Sequence, residues 1–358
     1  MGINKKIAVL CNYELLPERV GGMDYFFWIF DEKCKENNIL IDWYFPNSST
    51  HGNYSTLKIV NCNYQEVEVF FIKNYSNQNY SLVITHFIEL CTPFYKELKF
   101  KTKAKIIAVD HNPRPINGYS FKKKLEKKVK GFLYSKYIDV FIAVSNYSRN
   151  HLITEFGSQI KSKSIVILNG INVNKYIQKT DFNFKGKFIV ACHLRKDKGI
   201  QDLIFAVNEI QNKKAINFII DIYGKGDYQP TLEALIKKYS LNKVFNFKGS
   251  VSNLNELYFQ YDYLIHPSHG ETFCYSVVES LMSNLPVITT KSQGNVLGLV
   301  KENSNGFLFI ETNYNQLATI IGNIVDNKNH ISSFLESDIE IKKLSLQNMV
   351  DNYFKLLK

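Results

Sequence analysis

Glu271 and Glu279 stand eight residues apart in "HGETFCYSVVESLMSNLPVITT" (269–290), with a half-apolar run between them. On one helix they would lie about 12 Å apart along the axis and roughly 80° apart around it, too far to share a point-like metal or one sugar hydroxyl. Val277, Val278, Leu281, Met282 and Leu285 fit the buried stripe of a helix that begins near Phe273 to Ser276. That leaves Glu271 in the loop ahead of the helix and Glu279 on it. Free backbone N–H groups at a helix start attract phosphate, so an extended phosphate ester could lie across Thr272, Phe273 and Cys274 with one carboxylate beyond each end. Carboxylates accept hydrogen bonds from vicinal hydroxyls, which suggests a sugar ring at each end. The plainer alternative makes Glu271 a helix-start residue that favours the dipole and Glu279 a surface residue.

A second group is "ACHLRKDKGIQDLI" (191–204), where a strand ends at His193 and Arg195, Lys196 and Lys198 follow before Gly199 and an apolar helical pattern. Cations gathered in a strand-to-helix loop suit a diphosphate leaving group, whose developing charge needs fixed positive partners. Solvated loop lysines are the alternative. A third is "CNYELLPERVGGMDYFFWIF" (11–30), where Gly21-Gly22 opens a helix and backbone could approach a phosphate closely. It is not GxGxxG, and no acidic residue follows in the expected place, so a nicotinamide-dinucleotide fold is disfavoured.

The elements that must position these groups are short apolar runs alternating with helical patterns, which argues α/β with parallel sheets. "KIAVLC", "LIDWYF", "VEVFFI", "SLVITH", "KIIAVDH" and "VFIAVS" read as strands in the first half, and "FIVACH", "NFIIDIYG", "VFNFKG", "YLIHPS", "PVITT" and "GFLFI" in the second. Asn169-Gly170 is a turn signal between the halves. The expected division is 1–167 and 168–344. Two doubly wound domains of this kind leave a cleft at the carboxyl ends of their strands. His86, His111, Ser145, His193, Gly224, His266 and Ser268 all fall at such strand ends.

With 358 residues, two domains are expected. Six scattered cysteines show no CxxC pair and no zinc spacing, which suggests reduced thiols. The lysines ahead of the first apolar run do not make a signal peptide, because that run is too short, and no apolar stretch approaches the roughly 18 residues of a membrane span. A cytoplasmic protein is therefore expected. The net charge of +11 favours an anionic partner. It concentrates in "FKKKLEKKVKGFLYSKY" (121–137), whose seven lysines face one glutamate while Phe121, Leu125, Val129 and Phe132 or Leu133 recur at helical spacing. This amphipathic helix is either a solvated face packed by its stripe or a docking face for an anionic membrane surface. No nucleic-acid motif accompanies it.

"HPSHGETFCYSVVESLMSNLPVITT" resembles the donor-site signature of family 4 glycosyltransferases of the GT-B architecture. The resemblance continues through Gly21-Gly22, "VITH", "AVDH", "YIDVFIAVSNYSRNHL", "ILNGIN", "HLRKDKGIQDLI", "IYGKGD" with Gly224, "FKGSV" and "LSLQNMVDNYFKLL". It implies two Rossmann-like domains facing across a cleft, with a final helix at about 345–358 packing back on the first, and a retaining, metal-independent transfer from a UDP- or GDP-sugar to a saccharide or lipid-linked glycan. Surface polysaccharide assembly is the implied setting, with the protein peripheral to the membrane. By the same resemblance Glu279 would hold the ribose hydroxyls, Glu271 the donor sugar, the backbone of Thr272 to Cys274 the distal phosphate, and Lys198 the diphosphate with help from Gly22. His111 would contact the sugar near the reacting carbon. The chain departs from the family at His193, where arginine is frequent, and in "SQGNVLGLV" (292–300), which keeps Gly294 but lacks the usual acidic residue. A weakened accessory protein and a nucleotide-sugar epimerase are the competing readings.

Overall fold

The computed structural model describes residues 5–76, 78–115, 118–331 and 343–357. The chain divides into two compact units, Met1–Gly170 with Leu346–Lys358, and Ile171–Ser345.

The first unit runs β1 (Lys5–Cys11), α1 (Gly22–Glu36), β2 (Ile39–Phe45), β3 (Ile59–Asn61), α2 (Val67–Asn74), β4 (Leu82–His86), α3 (Pro93–Thr102), β5 (Lys105–Asp110), α4 (Phe121–Tyr134), β6 (Val140–Ala143), α5 (Asn146–Phe156) and β7 (Ser164–Val166). Its seven strands are ordered β3-β2-β1-β4-β5-β6-β7 and all pair in parallel. A parallel sheet covered by helices on both faces needs strands that are apolar on both sides. Ile7 to Cys11 and all of β4 are buried accordingly.

One expected strand is a helix. "VEVFFI" forms the first six residues of α2, which buries Val67 and Phe71, four positions apart, and leaves Val69 54% exposed. A strand would have put all three on one face. The sheet position beside β2 is taken instead by Ile59–Asn61, a run too short to announce itself. Tertiary packing has overridden the β propensity of a β-branched and aromatic run.

The second unit runs β8 (Lys187–Ala191), α6 (Ile200–Gln211), β9 (Ile219–Tyr223), α7 (Gln229–Lys238), β10 (Phe245–Gly249), β11 (Tyr263–His266), α8 (Tyr275–Met282), β12 (Val287–Thr290), α9 (Gln293–Val296), β13 (Gly306–Phe309) and α10 (Tyr314–Val325). Its parallel sheet is ordered β10-β9-β8-β11-β12-β13. The core gathers Phe188, Val190, Leu203, Ile220, Ile265 and Ile321 from both sheet and helices.

The last helix, α11 (Leu346–Lys355), belongs to the first unit. Tyr353 packs on Phe26 of α1 with ring centroids 4.7 Å apart, Lys33 pairs with Asp351, and the Met349 sulfur accepts the Gly170 N–H at 3.2 Å. Among the described residues no helix is long and apolar enough to cross a membrane.

Candidate functional site

In an open parallel sheet, ligands collect where the strand order reverses, because the loops leaving two neighbouring strands part there and open a crevice. In the second unit that point lies between β8 and β11. The loop after β8 carries Lys198, and the loop after β11 carries Glu271. The topology therefore brings together two residues 73 positions apart. Lys198 Nζ lies 2.5 Å from Glu271 Oε1.

Glu271 Oε1 also accepts the Ser268 hydroxyl at 3.1 Å and lies 3.5 Å from His266 Nε2. Burial pushes the carboxyl up, but the His266 imidazole and the Lys198 ammonium outweigh it and hold it at about 2. Burial pulls Lys198 down, and Glu271 more than restores it. Above about pH 3 the pair is thus a fixed cation beside a fixed anion. Of the loop cations, Lys198 is buried, whereas Lys196 is exposed and Arg195 points out to Asp197 at 2.9 Å. His193 is also exposed, with Nδ1 2.7 Å from the Lys225 carbonyl oxygen.

His266 Nε2, Glu271 Oε1 and Cys274 Sγ lie within 4.8 Å of one another, a set that could ligate a metal. The chemistry of the donors argues otherwise. Lys198 already neutralises the carboxylate, and burial first, then the Glu271 charge, push the Cys274 thiol well up. A dication here would have to displace an ammonium and deprotonate a buried thiol.

Cys274 caps α8 at its N-terminal end, and Ser276 Oγ donates to the Ala191 carbonyl at 2.5 Å, tying the helix start to the end of β8. Thr272, Phe273 and Cys274 are buried, as are Val277, Val278, Leu281 and Met282 on the inner face of the helix. Glu279 is part-buried one turn further along. Tyr258 donates to its Oε2 at 2.9 Å and Tyr176 is a second donor, yet burial outweighs both and raises its carboxyl. Tyr258 and Tyr176 carry no local sequence signal, since they lie 21 and 103 residues from the glutamate they hold.

Glycines set the spacing of these loops. Gly199 has φ +69°, and a Cβ there would fall 2.1 Å from the Pro267 carbonyl oxygen, so the Lys198 turn lies directly against the end of β11. A Cβ on Gly294 of α9 would sit 1.5 Å from the Glu271 carbonyl oxygen, and one on Gly224 (φ +129°) 1.9 Å from that of Cys192. Three residues outside the sequence expectations complete the frame. His269 Nε2 lies 2.6 Å from Asp202 Oδ2 at the start of α6, and Asn295 Nδ2 donates to the Ser268 carbonyl at 2.8 Å. Gly199→Ala is expected to cost about 2–4 kcal/mol, the sum of a left-handed alanine and a backbone collision. Gly21→Ala, at extended φ −145° with nothing within 4 Å, should change little. Urea unfolding followed by far-UV circular dichroism checks this; equal midpoints for the two variants would sink it.

In the first unit the order reverses between β1 and β4. Gly21 caps α1 and Gly22 begins it. Asp24 Oδ2 accepts the Gly21 N–H at 2.8 Å and the Tyr13 hydroxyl at 2.9 Å, while Tyr54 donates to Oδ1 at 2.6 Å, so the fully buried carboxylate fixes the helix start. His111 follows β5. Its Nε2 lies 3.0 Å from Nδ1 of His86, the last residue of β4, and its ring stacks on Phe87 at 4.2 Å. Burial pulls the His111 imidazole down to about 3 and His86 well below the usual range, so both are neutral at pH 7.

Residues 173–337 match the family model described as "Glycosyl transferases group 1", and residues 68–175 match "Glycosyltransferase Family 4". Both halves of the chain carry glycosyltransferase family segments. An uncharacterized glycosyltransferase of Methanocaldococcus jannaschii is 29% identical over 61% of this chain and 60% of its own. The GtfA subunit of a UDP-N-acetylglucosamine–peptide N-acetylglucosaminyltransferase from Streptococcus agalactiae is 27% identical over 48% of this chain and 34% of its own. These matches span less than two thirds of either relative's length. In fold, the crystal structure of Anabaena HepE in complex with UDP and glucose aligns with a TM-score of 0.75 at 17% identity, over 99% of each chain. The two parallel-sheet units are those of GT-B glycosyltransferase structures.

Proposed function

We propose that the protein is a retaining glycosyltransferase that transfers a sugar from a nucleoside diphosphate sugar to a saccharide or lipid-linked glycan. The observation that carries this reading is the Lys198–Glu271 pair at the switch point of the second sheet, beside the start of α8, with Glu279 held by Tyr258 further along the same helix. A phosphate on the helix start would meet the Lys198 ammonium. Glu271 and Glu279 then accept hydroxyls of the donor sugar and the ribose. HepE binds UDP and glucose, which makes UDP-sugars the first donors to test. His111 and Gly22 keep roles toward the donor on the family resemblance alone.

The charge state of Glu271 supports a reaction without an enzymic nucleophile. A carboxylate held at about 2 by the His266 imidazole and the contacting Lys198 ammonium is a poor base and a weak attacking group. In the transfer we propose, the bond from the anomeric carbon to the phosphate oxygen breaks while the bond to the acceptor oxygen forms on the same face. The leaving phosphate takes the acceptor's proton, and Lys198 balances the charge it develops. No metal is needed in this scheme.

The deciding experiment incubates the protein with UDP-, GDP- and ADP-sugars and saccharide acceptors, with and without a chelator, and reads nucleotide release and the anomeric configuration of the product. Retained configuration at a chelator-insensitive rate is expected. Inversion, or no turnover with any donor, would overturn the proposal. Glu279→Ala should weaken nucleotide binding by roughly 10- to 100-fold, the worth of hydrogen bonds to a charged group, while Glu271→Ala mainly lowers turnover. Unchanged nucleotide affinity in the first variant would remove the ribose assignment.

A further inference from the structure

An amphipathic surface helix ordinarily lays its apolar stripe on the core. α4 does the reverse. Phe121 is 84% exposed, Leu125 56%, Val129 49%, Phe132 79% and Leu133 44%. At 3.6 residues per turn these five fall within an arc of roughly 120°. Lys122, Lys124 and Lys128, all exposed, lie within or beside that arc. Glu126, the one carboxylate of the helix, borders the arc beside Leu133, where it is paired with Lys123 at 3.0 Å and Lys130 at 2.8 Å.

The opposite side shows why the helix is held this way. Gly131 is buried against α5, where a Cβ would fall 2.0 Å from the Phe156 carbonyl oxygen. Lys127 passes over the Tyr119 and Phe156 rings to reach Glu155 at 3.0 Å, and Lys130 reaches Glu89 at 2.7 Å. Glu155 also receives Arg114, whose other contact is Asp110 at 2.7 Å. Two acids and two bases are matched in this buried group, so turning Lys127 outward would leave an unbalanced carboxylate inside. The backbone contact and the ion pairs fix the rotation of α4, and its stripe faces solvent.

Among the described residues thirteen large apolar side chains are exposed, and five of them are on this helix. The rest are scattered and need no explanation. We infer that the outward face of α4 docks on the surface of an anionic lipid bilayer, with Phe121 and Phe132 entering the acyl boundary and Lys122, Lys124 and Lys128 at the headgroup phosphates. At about 21 Å and fourteen residues the helix lies along the surface and does not span it. A second copy of the chain fits this face badly, because an isologous contact would bring the same lysines together while the one carboxylate bordering the face, Glu126, is already held by Lys123 and Lys130. The inference is independent of which sugar is transferred, or whether one is.

The test sediments the full chain with vesicles of neutral phosphatidylcholine, and with vesicles containing about 30 mol% phosphatidylglycerol. Binding at least ten-fold tighter to the anionic vesicles, weakened in about 0.5 M salt, is expected. Phe121→Ser/Phe132→Ser should lose ten-fold or more. Lys122→Glu/Lys124→Glu/Lys128→Glu should lose the anionic preference, at about five-fold per lysine. All five positions are exposed, so the tryptophan-monitored melt should not move, and the two variants fail independently. Equal binding to both vesicles, binding to neither, or unaltered binding by either variant overturns the inference. A dimer abolished by the phenylalanine pair without vesicle binding would reassign the face to a second copy and overturn it equally.

Discussion

Lys198→Met is expected to lower turnover of the nucleotide-sugar donor by roughly 10²- to 10³-fold, about 2.7–4 kcal/mol of transition-state stabilisation. The ammonium is part-desolvated in the ground state and already paired with Glu271 at 2.5 Å, so its removal takes away a charge fixed in advance. The isosteric methionine keeps the packing of a residue that is only 8% exposed. Glu271 then loses a principal partner, and its carboxyl rises toward the ordinary range even though Ser268 remains at 3.1 Å. Two readouts separate the roles: the loss should fall on kcat with a smaller change in KM, and turnover should become more sensitive to acid as the Glu271 carboxyl rises from about 2. A variant that releases nucleotide at the normal rate would show that Lys198 only holds the loop.

The second large effect is the acid sensitivity of the first unit. The His111 imidazole takes up its proton near 6.5 in the unfolded chain and only at about 3 in the fold. Between those values the unfolded state holds more protons, so stability falls as pH falls. From pH 7 to pH 4 this group alone costs about 3 kcal/mol. His86, buried behind it and lowered by burial and then by His111, acts in the same direction. Glu271 adds to the trend in the other unit, because a carboxyl held down at about 2 contributes stability above its ordinary value and loses it as pH falls below that. Both tryptophans, Trp28 and Trp43, lie in the first unit. Their fluorescence in urea therefore reports on the unit that holds both histidines, and the His111 variant separates its share. His111→Gln should flatten the pH dependence of the tryptophan transition by about 3 kcal/mol between pH 7 and 4, and an unchanged slope would rule out the buried neutral imidazole.

The sheet strands were legible because a parallel strand buried on both faces must be written as an apolar run, and eleven of the twelve expected runs are strands or contain one. "VEVFFI" misled because β-branched and aromatic residues read alike on a strand and on a short buried helix; only Val69, pushed into solvent, tells them apart. The helix start between Glu271 and Glu279 was readable from the stripe of Val277, Val278 and Leu281. Their partners were not. Lys198 and Glu271 meet because β8 and β11 are neighbours, and strand order is a property of the whole sheet that no local pattern records. Tyr258, Tyr176 and the His269–Asp202 pair were hidden for the same reason. The rotation of α4 was equally out of reach: its periodicity was plain, but which face turns outward is decided by Gly131 against Phe156 and by Lys127 against Glu155, contacts with a different helix.

The return of α11 to the first unit has a consequence for the order in which the protein is made. Residues 171–345 form a contiguous unit whose strands are all available once that stretch has left the ribosome. The first unit must wait for Met349, Val350 and Tyr353, side chains almost wholly buried against its own elements, before its core is complete. The usual sequence, in which the amino-terminal domain finishes first, is therefore reversed. Until synthesis reaches α11, the aromatic surface of Phe26 and Phe30 is uncovered on the nascent chain, which makes this the stage at which a chaperone that shields apolar surface has the most to protect.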